Sequence, residues 1–235
     1  MDFMKAVLLA GGLGKRLRPL TDRVPKPLVE VGGKPIIEWQ ILWLRSLGVD
    51  SFVILAGYLS EKIKEYIDER KGSWKVTVDY SIEKEPLGTG GAIKNAKGFL
   101  KDEKEFYVLN GDNITNVDIS KLELDSGMAS IALAPLRSTY GVVNVDGEGN
   151  VTRFDEKPLI EDYWMNAGVY RMRNEVLQHL PDNGAIEKTT FVELSSKGAL
   201  RGVKFADCYF HGVDSVKDVE EVSADLAAGR VYKGV

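Results

Sequence analysis

Residues 5–9 read Lys-Ala-Val-Leu-Leu and lead directly into Ala10-Gly11-Gly12-Leu13-Gly14-Lys15-Arg16. A short apolar run closed by glycines reads as a buried strand emptying into a loop. Glycines at 11, 12 and 14 let the backbone approach a ligand closely and turn its N–H groups toward an anion. Leu9 and Ala10 form the strand end at the lip of this loop, and Arg16 and Lys26 add positive charge at the same end of the sheet. The arrangement suits a polyphosphate, and it places the chemistry at the beginning of the chain.

The rest of the first half keeps the same alternation. Strand-like runs at 4–10, 51–56, 75–80 and 105–109 are separated by helical patterns at 35–47, 60–70 and 89–97. This order predicts an α/β fold with a Rossmann-like, mostly parallel or mixed sheet and helices on both faces. Ligands of such sheets collect at the carboxyl ends of the strands. That rule brings the opening loop, Gly88–Gly91 and Gly111-Asp112 to one crevice. The second half differs: runs at 128–136, 140–146, 150–155 and 164–171 are spaced by turn signals such as Asp146-Gly147-Glu148-Gly149-Asn150. They predict an antiparallel extension over the crevice. Helices at about 187–197 and 215–228, with a strand near 201–207, close the chain. With no linker or repeat, one domain over 1–235 is expected, with a nucleotide-binding half at 1–117 and a substrate half at 118–235. Helix 35–47 is apolar nearly all round, which implies burial against the sheet; its Trp39/Trp43 edge is a candidate homo-oligomer contact.

Composition sets limits. A net charge of −4 argues against a general nucleic-acid surface, so any anion site is local. A single cysteine, Cys208, excludes an intramolecular disulfide and fits a reducing, cytoplasmic compartment. The first residues do not read as a signal peptide. No apolar stretch approaches the ~20 residues needed to span a bilayer, so no membrane role is expected.

The loop is not a P-loop, since no Gly-Lys-Ser/Thr occurs, and it fails the G-x-G-x-x-G dinucleotide fingerprint because Leu17 follows where glycine is required. Gly-Gly-x-Gly-x-Arg16-Leu-x-Pro-Leu-Thr followed by Pro25-Lys26-Pro27-Leu28 resembles instead the sugar-phosphate nucleotidyltransferases, or NDP-sugar pyrophosphorylases. Five further stretches fall in the order of that family. Glu85–Ala92 resembles its base-binding loop, and Leu109-Asn110-Gly111-Asp112 resembles its magnesium-holding strand end. Gly141-Val142-Val143, Glu156-Lys157-Pro158 and Asn166–Tyr170 resemble its sugar-phosphate motifs. The stretch Ser81–Lys94 looks closest to the branch that makes GDP-heptose and GDP-mannose.

The resemblance implies Mg²⁺ as cofactor, a nucleoside triphosphate and a sugar 1-phosphate as partners, and a substrate half that holds the sugar phosphate. Arg16 would hold the leaving pyrophosphate, Lys26 would lie near the α-phosphate, and Lys157 would draw in the sugar phosphate. The attacking phosphate is already ionised, so the reaction needs alignment and charge neutralisation rather than a protein base. Asp112 would bind Mg²⁺; Glu156 would accept bonds from sugar hydroxyls, and Gly141 and Asn166 would shape that pocket. Gly88 belongs to the base loop. Glu83 stands where many uridine- or thymidine-using relatives carry glutamine. A carboxylate accepts from the two adjacent N–H donors of guanine, so GTP is the first choice, with uridylyl, thymidylyl or cytidylyl transfer as alternatives.

One departure puts the metal site in question. Relatives supply a second magnesium aspartate late in the chain, in a segment like W/F-x-D-[IV]-G-[ST]; here Phe210-His211-Gly212-Val213-Asp214-Ser215 has glycine and aspartate exchanged. Three readings stand: Asp214 reaches the metal by a shifted backbone, His211 or water completes a shell held mainly by Asp112 and phosphates, or the chain is a weakened relative that binds and senses nucleotide. Asp214 could also simply cap the following helix with Ser215 and Asp218. Asp118 is expected to cap a helix, and His211, His179 and Cys208 are too dispersed for a zinc site. No C-terminal β-helix is expected.

Overall fold

The structure, a computed structural model, describes residues 4–232; the first three residues, read above as carrying no signal peptide, lie outside that range. In chain order the strands and helices are β1 (Lys5–Ala10), β2 (Glu30–Val31), β3 (Lys34–Pro35), α1 (Ile36–Ser46), β4 (Ser51–Ala56), α2 (Ser60–Asp68), α3 (Lys71–Trp74), β5 (Thr77–Ile82), α4 (Gly88–Asn95), α5 (Lys97–Leu100), β6 (Glu105–Asn110) and β7 (Asn113–Thr115). They continue with β8 (Ala129–Arg137), β9 (Val142–Val145), β10 (Val151–Asp155), β11 (Leu159–Arg173), α6 (Thr190–Ser196), β12 (Leu200–Lys204), β13 (Phe210–Gly212) and α7 (Val216–Ala227).

Seven strands form one mixed sheet in the order β12-β8-β11-β6-β1-β4-β5. β5, β4, β1 and β6 are parallel, β11 runs against both β6 and β8, and β12 is parallel to β8. A central parallel strand is buried on both faces, and its alternate residues enter different cores. Ala6, Leu8 and Ala10 of β1 pack with Ile37, Ile41 and Trp43 of α1 and with Ile63 and Ile67 of α2. Val7 faces the other way, with Ile93 of α4 and Phe191 and Leu194 of α6. Helices therefore cover both faces of the sheet, as the alternation predicts.

A third apolar cluster lies off the sheet, beside the glycine loop. It joins Leu17 after the glycine loop, Val29 and Val31, Ile36 and Trp39 of α1, Ile114 of β7, and Val213 and Val222 around α7. This cluster brings chain positions near 17, 114 and 213 to one place, which local periodicity could not foretell.

Boundaries shift modestly. The strand expected at 75–80 runs 77–82, and the one expected at 164–171 extends over 159–173. The helix expected at 187–197 is a 3₁₀ turn over Ile186–Lys188 followed by α6. Asp118 caps a 3₁₀ turn, its side chain accepting from the Ser120 amide. The short ladder β7–β13 and the pair β2–β3 carry too few residues to show a period. The Trp39/Trp43 edge is not a free surface, because Tyr232 stacks on both indoles at 5.6 and 6.4 Å and leaves them 7 % and 4 % exposed.

The antiparallel extension is real but unevenly supported. β9 and β10 form a two-stranded ribbon that does not join the main sheet. Its register places Val145 opposite Val151 and Val143 opposite Phe154, so four exposed apolar side chains share one face. No described helix is long and apolar enough to cross a membrane.

Leu8 is fully buried at the centre of β1. Leu8→Ala is expected to cost about 2–5 kcal/mol, measured as a lower urea midpoint with an unchanged m value.

Candidate active site

Three loops meet at the carboxyl ends of β1, β5 and β6 and enclose a cavity of about 450 Å³. Its wall contains Leu9, Ala10, Gly11, Gly12, Gly14, Lys26, Glu83, Gly88 and Asp112, nine of the residues singled out in the sequence. A contiguous cleft of about 240 Å³ shares Gly12, Gly14, Lys26 and Asp112 and adds Arg16 and Asp214.

The glycines are required for different reasons. Gly14 has φ +59 and opens a 3₁₀ turn at Lys15–Leu17; its carbonyl accepts from the Thr21 hydroxyl at 2.7 Å and the Leu17 amide at 2.9 Å. A side chain there would be both strained and crowded against Thr21. Gly11 and Gly57 leave space for the carboxyl group of Glu83, which a Cβ at either position would strike. Gly12 has nothing within 4 Å of where a Cβ would stand, so its open side faces the cavity. Gly88 (φ +73) starts α4 against the backbone of Gly184, and Gly184 accepts from the Gly90 amide at 2.9 Å. The loop at Gly88–Gly91 is thereby tied to the second half of the chain.

Glu83 accepts one bond from the Leu87 amide at 3.1 Å. Burial pushes its carboxyl above the ordinary range, and the Leu87 bond offsets this only in part.

The charged centre is built on Lys26. This side chain lies between Pro25 and Pro27 and is 8 % exposed. Its Nζ donates to Asp112 Oδ2 at 2.8 Å and to Asp214 Oδ1 at 2.6 Å. Arg16, with its side chain 77 % exposed, reaches Asp214 Oδ1 at 2.9 Å. Two carboxylates aimed at one point are a hard-oxygen donor pair of the sort that holds Mg²⁺ beside substrate phosphates. The residues present fit a divalent ion.

Asp214 does not cap α7. The cap is Ser215, whose hydroxyl accepts from the Asp218 amide while the Asp218 side chain accepts from the Ser215 amide. This leaves the Asp214 carboxylate free to face Lys26. Among the described residues, His211 gathers not with His179 or Cys208 but with Asp218 and Glu221, a group whose ligand atoms lie close enough together to hold a metal ion.

Several supports were not legible. Gln40 reads as a member of an apolar helix, yet it is 2 % exposed and its Nε2 donates to Asn110 O at 2.8 Å and Asn113 O at 2.9 Å. It therefore clamps the turn that carries Asp112. The same turn is held by Gly111 N to Leu9 O at 3.0 Å and by Val213 N to Asp112 O at 2.8 Å. An uncharged polar residue set directly between Trp39 and Ile41 in an otherwise largely apolar helix is the signal that could have found Gln40.

The sugar-phosphate motif residues line neither cavity. Asn166 donates to the Tyr170 hydroxyl at 2.9 Å and accepts from the Gly168 amide at 2.8 Å. It thus fixes the irregular stretch of β11 where pairing with β8 shifts register. Gly141 packs against Phe154 and Glu156. Glu156 and Lys157 are exposed, and Lys157 has φ +48, a conformation that costs a non-glycine residue about 1–3 kcal/mol.

A family model described as nucleotidyl transferase matches residues 5–212. The chain is 37 % identical over 210 residues to the D-glycero-alpha-D-manno-heptose 1-phosphate guanylyltransferase of Campylobacter jejuni, covering 88 % of this chain and 91 % of that protein. It is 37 % identical over 207 residues to the mannose-1-phosphate guanyltransferase of Yarrowia lipolytica, covering 84 % of this chain and 57 % of that longer protein. Among solved structures, HddC from Yersinia pseudotuberculosis complexed with GMP-PN superposes with a TM-score of 0.74 at 27 % identity, over 95 % of this chain and 99 % of that one. A putative glucose-1-phosphate thymidylyltransferase from Bacillus anthracis has the same score, 0.74, at 19 % identity, covering 99 % of this chain and 97 % of that one, a likeness of fold.

Two outcomes follow from these contacts. Gln40→Leu removes this donor from one buried and one part-buried carbonyl, so a loss of about 1–3 kcal/mol is expected in denaturant melts, together with lower turnover. For Glu83, the raised carboxyl means the folded chain binds more protons than the unfolded one between the ordinary value, about 4.3, and the raised value. Stability from this group therefore falls as pH rises through that window. Glu83→Gln removes the effect, so the variant's Tm relative to the unaltered chain becomes more favourable from pH 4 to pH 7.

Proposed function

The chain belongs to the nucleotidyl transferase family, and from that membership and the geometry above we propose that it joins GTP to a sugar 1-phosphate with release of pyrophosphate. The observation that carries this reading is the convergence of Lys26, Asp112 and Asp214 on one point beside the glycine loop. The two guanylyltransferase relatives act on a manno-heptose 1-phosphate and on mannose 1-phosphate. Both names contain a manno-configured ring, so the acceptor class proposed is a manno-configured sugar 1-phosphate.

In the reaction, an oxygen of the sugar phosphate attacks the α-phosphorus in line. A new P–O bond forms, the bond to the bridging oxygen breaks, and its electron pair leaves with pyrophosphate. Backbone N–H groups of the Gly11–Gly14 loop face the triphosphate, and Arg16 holds the leaving pyrophosphate. Lys26 neutralises charge near the α-phosphate. Asp112 and Asp214 are the residues that would hold a divalent ion, read as Mg²⁺, which supplies further charge neutralisation on the phosphates when bound. Glu83 accepts from the N1 and N2 donors of guanine across the cavity. Glu156 and Lys157, with Gly141 and Asn166 shaping the surrounding strand, receive the sugar and its phosphate, and the left-handed backbone of Lys157 is consistent with a side chain held for function.

A matrix of nucleoside triphosphates against sugar 1-phosphates tests this. Pyrophosphate release is expected only with Mg²⁺, GTP and a manno-configured acceptor together; no release across the matrix would sink the reading. Asp112→Ala and Asp214→Ala are each expected to lower kcat on the order of 10²-fold or more. The double exchange Gly212→Asp with Asp214→Gly is expected to lower activity, because it removes a carboxylate already on Lys26. A gain would favour a weakened, nucleotide-sensing relative instead.

A further inference from the structure

We propose that Asp218 and His211 are positioning residues that aim the Asp214 carboxylate at Lys26 and Asp112. The inference rests on the nucleotidyl-transfer reading, which gives Asp214 its metal. Asp214 stands in the short connection between β13 and α7, and one carboxylate organises that connection. Asp218 Oδ2 accepts from the Asp214 amide at 3.0 Å, the Ser215 amide at 2.7 Å and the Ser215 hydroxyl at 2.8 Å. Its other oxygen, Oδ1, lies 3.2 Å from His211 Nε2.

A helix cap alone needs only the reciprocal bonds between Ser215 and Asp218. The bond to the amide of Asp214 itself, and the bond to His211 on the preceding strand, lie outside that motif. Together they tie both sides of the connection to a single residue. The His211 ring stacks beside Tyr209 at 6.5 Å, and Tyr209 in turn donates to Asp225 Oδ2 at 2.8 Å, which anchors the pair to the body of α7.

Gly212 is not part of the device. Its φ is outside the left-handed region, and a Cβ there would meet only Asn113 Oδ1 at 3.5 Å and Asp214 Oδ2 at 4.0 Å, ordinary contact distances. Neither conformation nor crowding within the chain demands glycine, so the placement of Asp214 rests on Asp218 and His211.

The test is Mn²⁺ titration of the full chain with GTP and no sugar phosphate, following the free ion by electron paramagnetic resonance. Asp218→Ala and His211→Ala are expected to weaken Mn²⁺ about 10-fold or more, the range for residues that orient metal ligands. His211→Gln, which keeps an N–H donor, stays close to the unaltered chain. Ser215→Ala loses the hydroxyl cap but keeps the bond from the Asp214 amide, so it lowers Tm without weakening Mn²⁺. Asp214→Ala combined with Asp218→Ala weakens Mn²⁺ no further than Asp214→Ala alone. Additive effects in that double variant, or equal losses in Ser215→Ala and Asp218→Ala, overturn the proposal. Mn²⁺ lost in His211→Ala but kept in Asp214→Ala also overturns it, because His211, Asp218 and Glu221 would then be the ligands. If Asp218→Ala does not fold, His211→Ala with its glutamine rescue decides the matter. An unaltered chain that binds Mn²⁺ in the expected pattern yet releases no pyrophosphate overturns the nucleotidyl-transfer reading and leaves the positioning role standing.

Discussion

One ammonium group holds this site together. Lys26 Nζ touches carboxylates that arrive from residue 112, at the end of a central strand, and from residue 214, just before the last helix. A largely buried lysine is tolerable only when paired, and removing a partner from such a pair is far more costly than the pair's net contribution to stability. The two carboxylates need the lysine in the same way, since their mutual repulsion rises as water is excluded. The glycine loop, the β6–β7 turn and the β13–α7 connection are therefore fixed relative to one another by charge as well as by the apolar cluster beneath them.

The supporting contacts divide by kind. On the Asp112 side, neutral backbone bonds from Gln40, Val213 and Gly111 do the fixing, and Gln40 is sealed inside the protein. On the Asp214 side, an ionised carboxylate gathers several donors. Burial opposes ionisation of Asp218, but the bonds from Ser215, His211 and the amide of Asp214 outweigh it and hold the carboxyl below its ordinary range. One acid is thus positioned by the core and the other by a surface network.

Legibility in the sequence followed the range of the physics. The parallel strands β1, β4 and β6 were readable because burial on both faces writes a continuous apolar run. Arg16, Lys26, Glu83 and Asp112 were readable because the residues around them form motifs, and the structure places all four on the two joined cavities. Asp214 was ambiguous because its neighbours Ser215 and Asp218 form a real helix cap, and only the fold reveals which of the three residues faces outward to Lys26. The partners of Gln40, the β7–β13 ladder and the close approach of Gly11 and Gly57 to Glu83 depend on contacts across long stretches of chain; a polar residue in an apolar helix hints at the first, and no local pattern records the other two.

The β9–β10 ribbon, outside the main sheet, gives the two sides of the proposed site a different tolerance of change. Glu83, proposed to read the base, is built into packing: it fills space that Gly11 and Gly57 leave for it, on strands and loops continuous with the core. Altering it requires several residues to change together. The ribbon beside Glu156 and Lys157 touches water along one whole face and contributes no rung to the main sheet. Substitutions there disturb few packed neighbours. Within such a scaffold, the residues proposed to receive the acceptor sugar can change in small, separately tolerated steps, whereas those proposed to receive the base cannot.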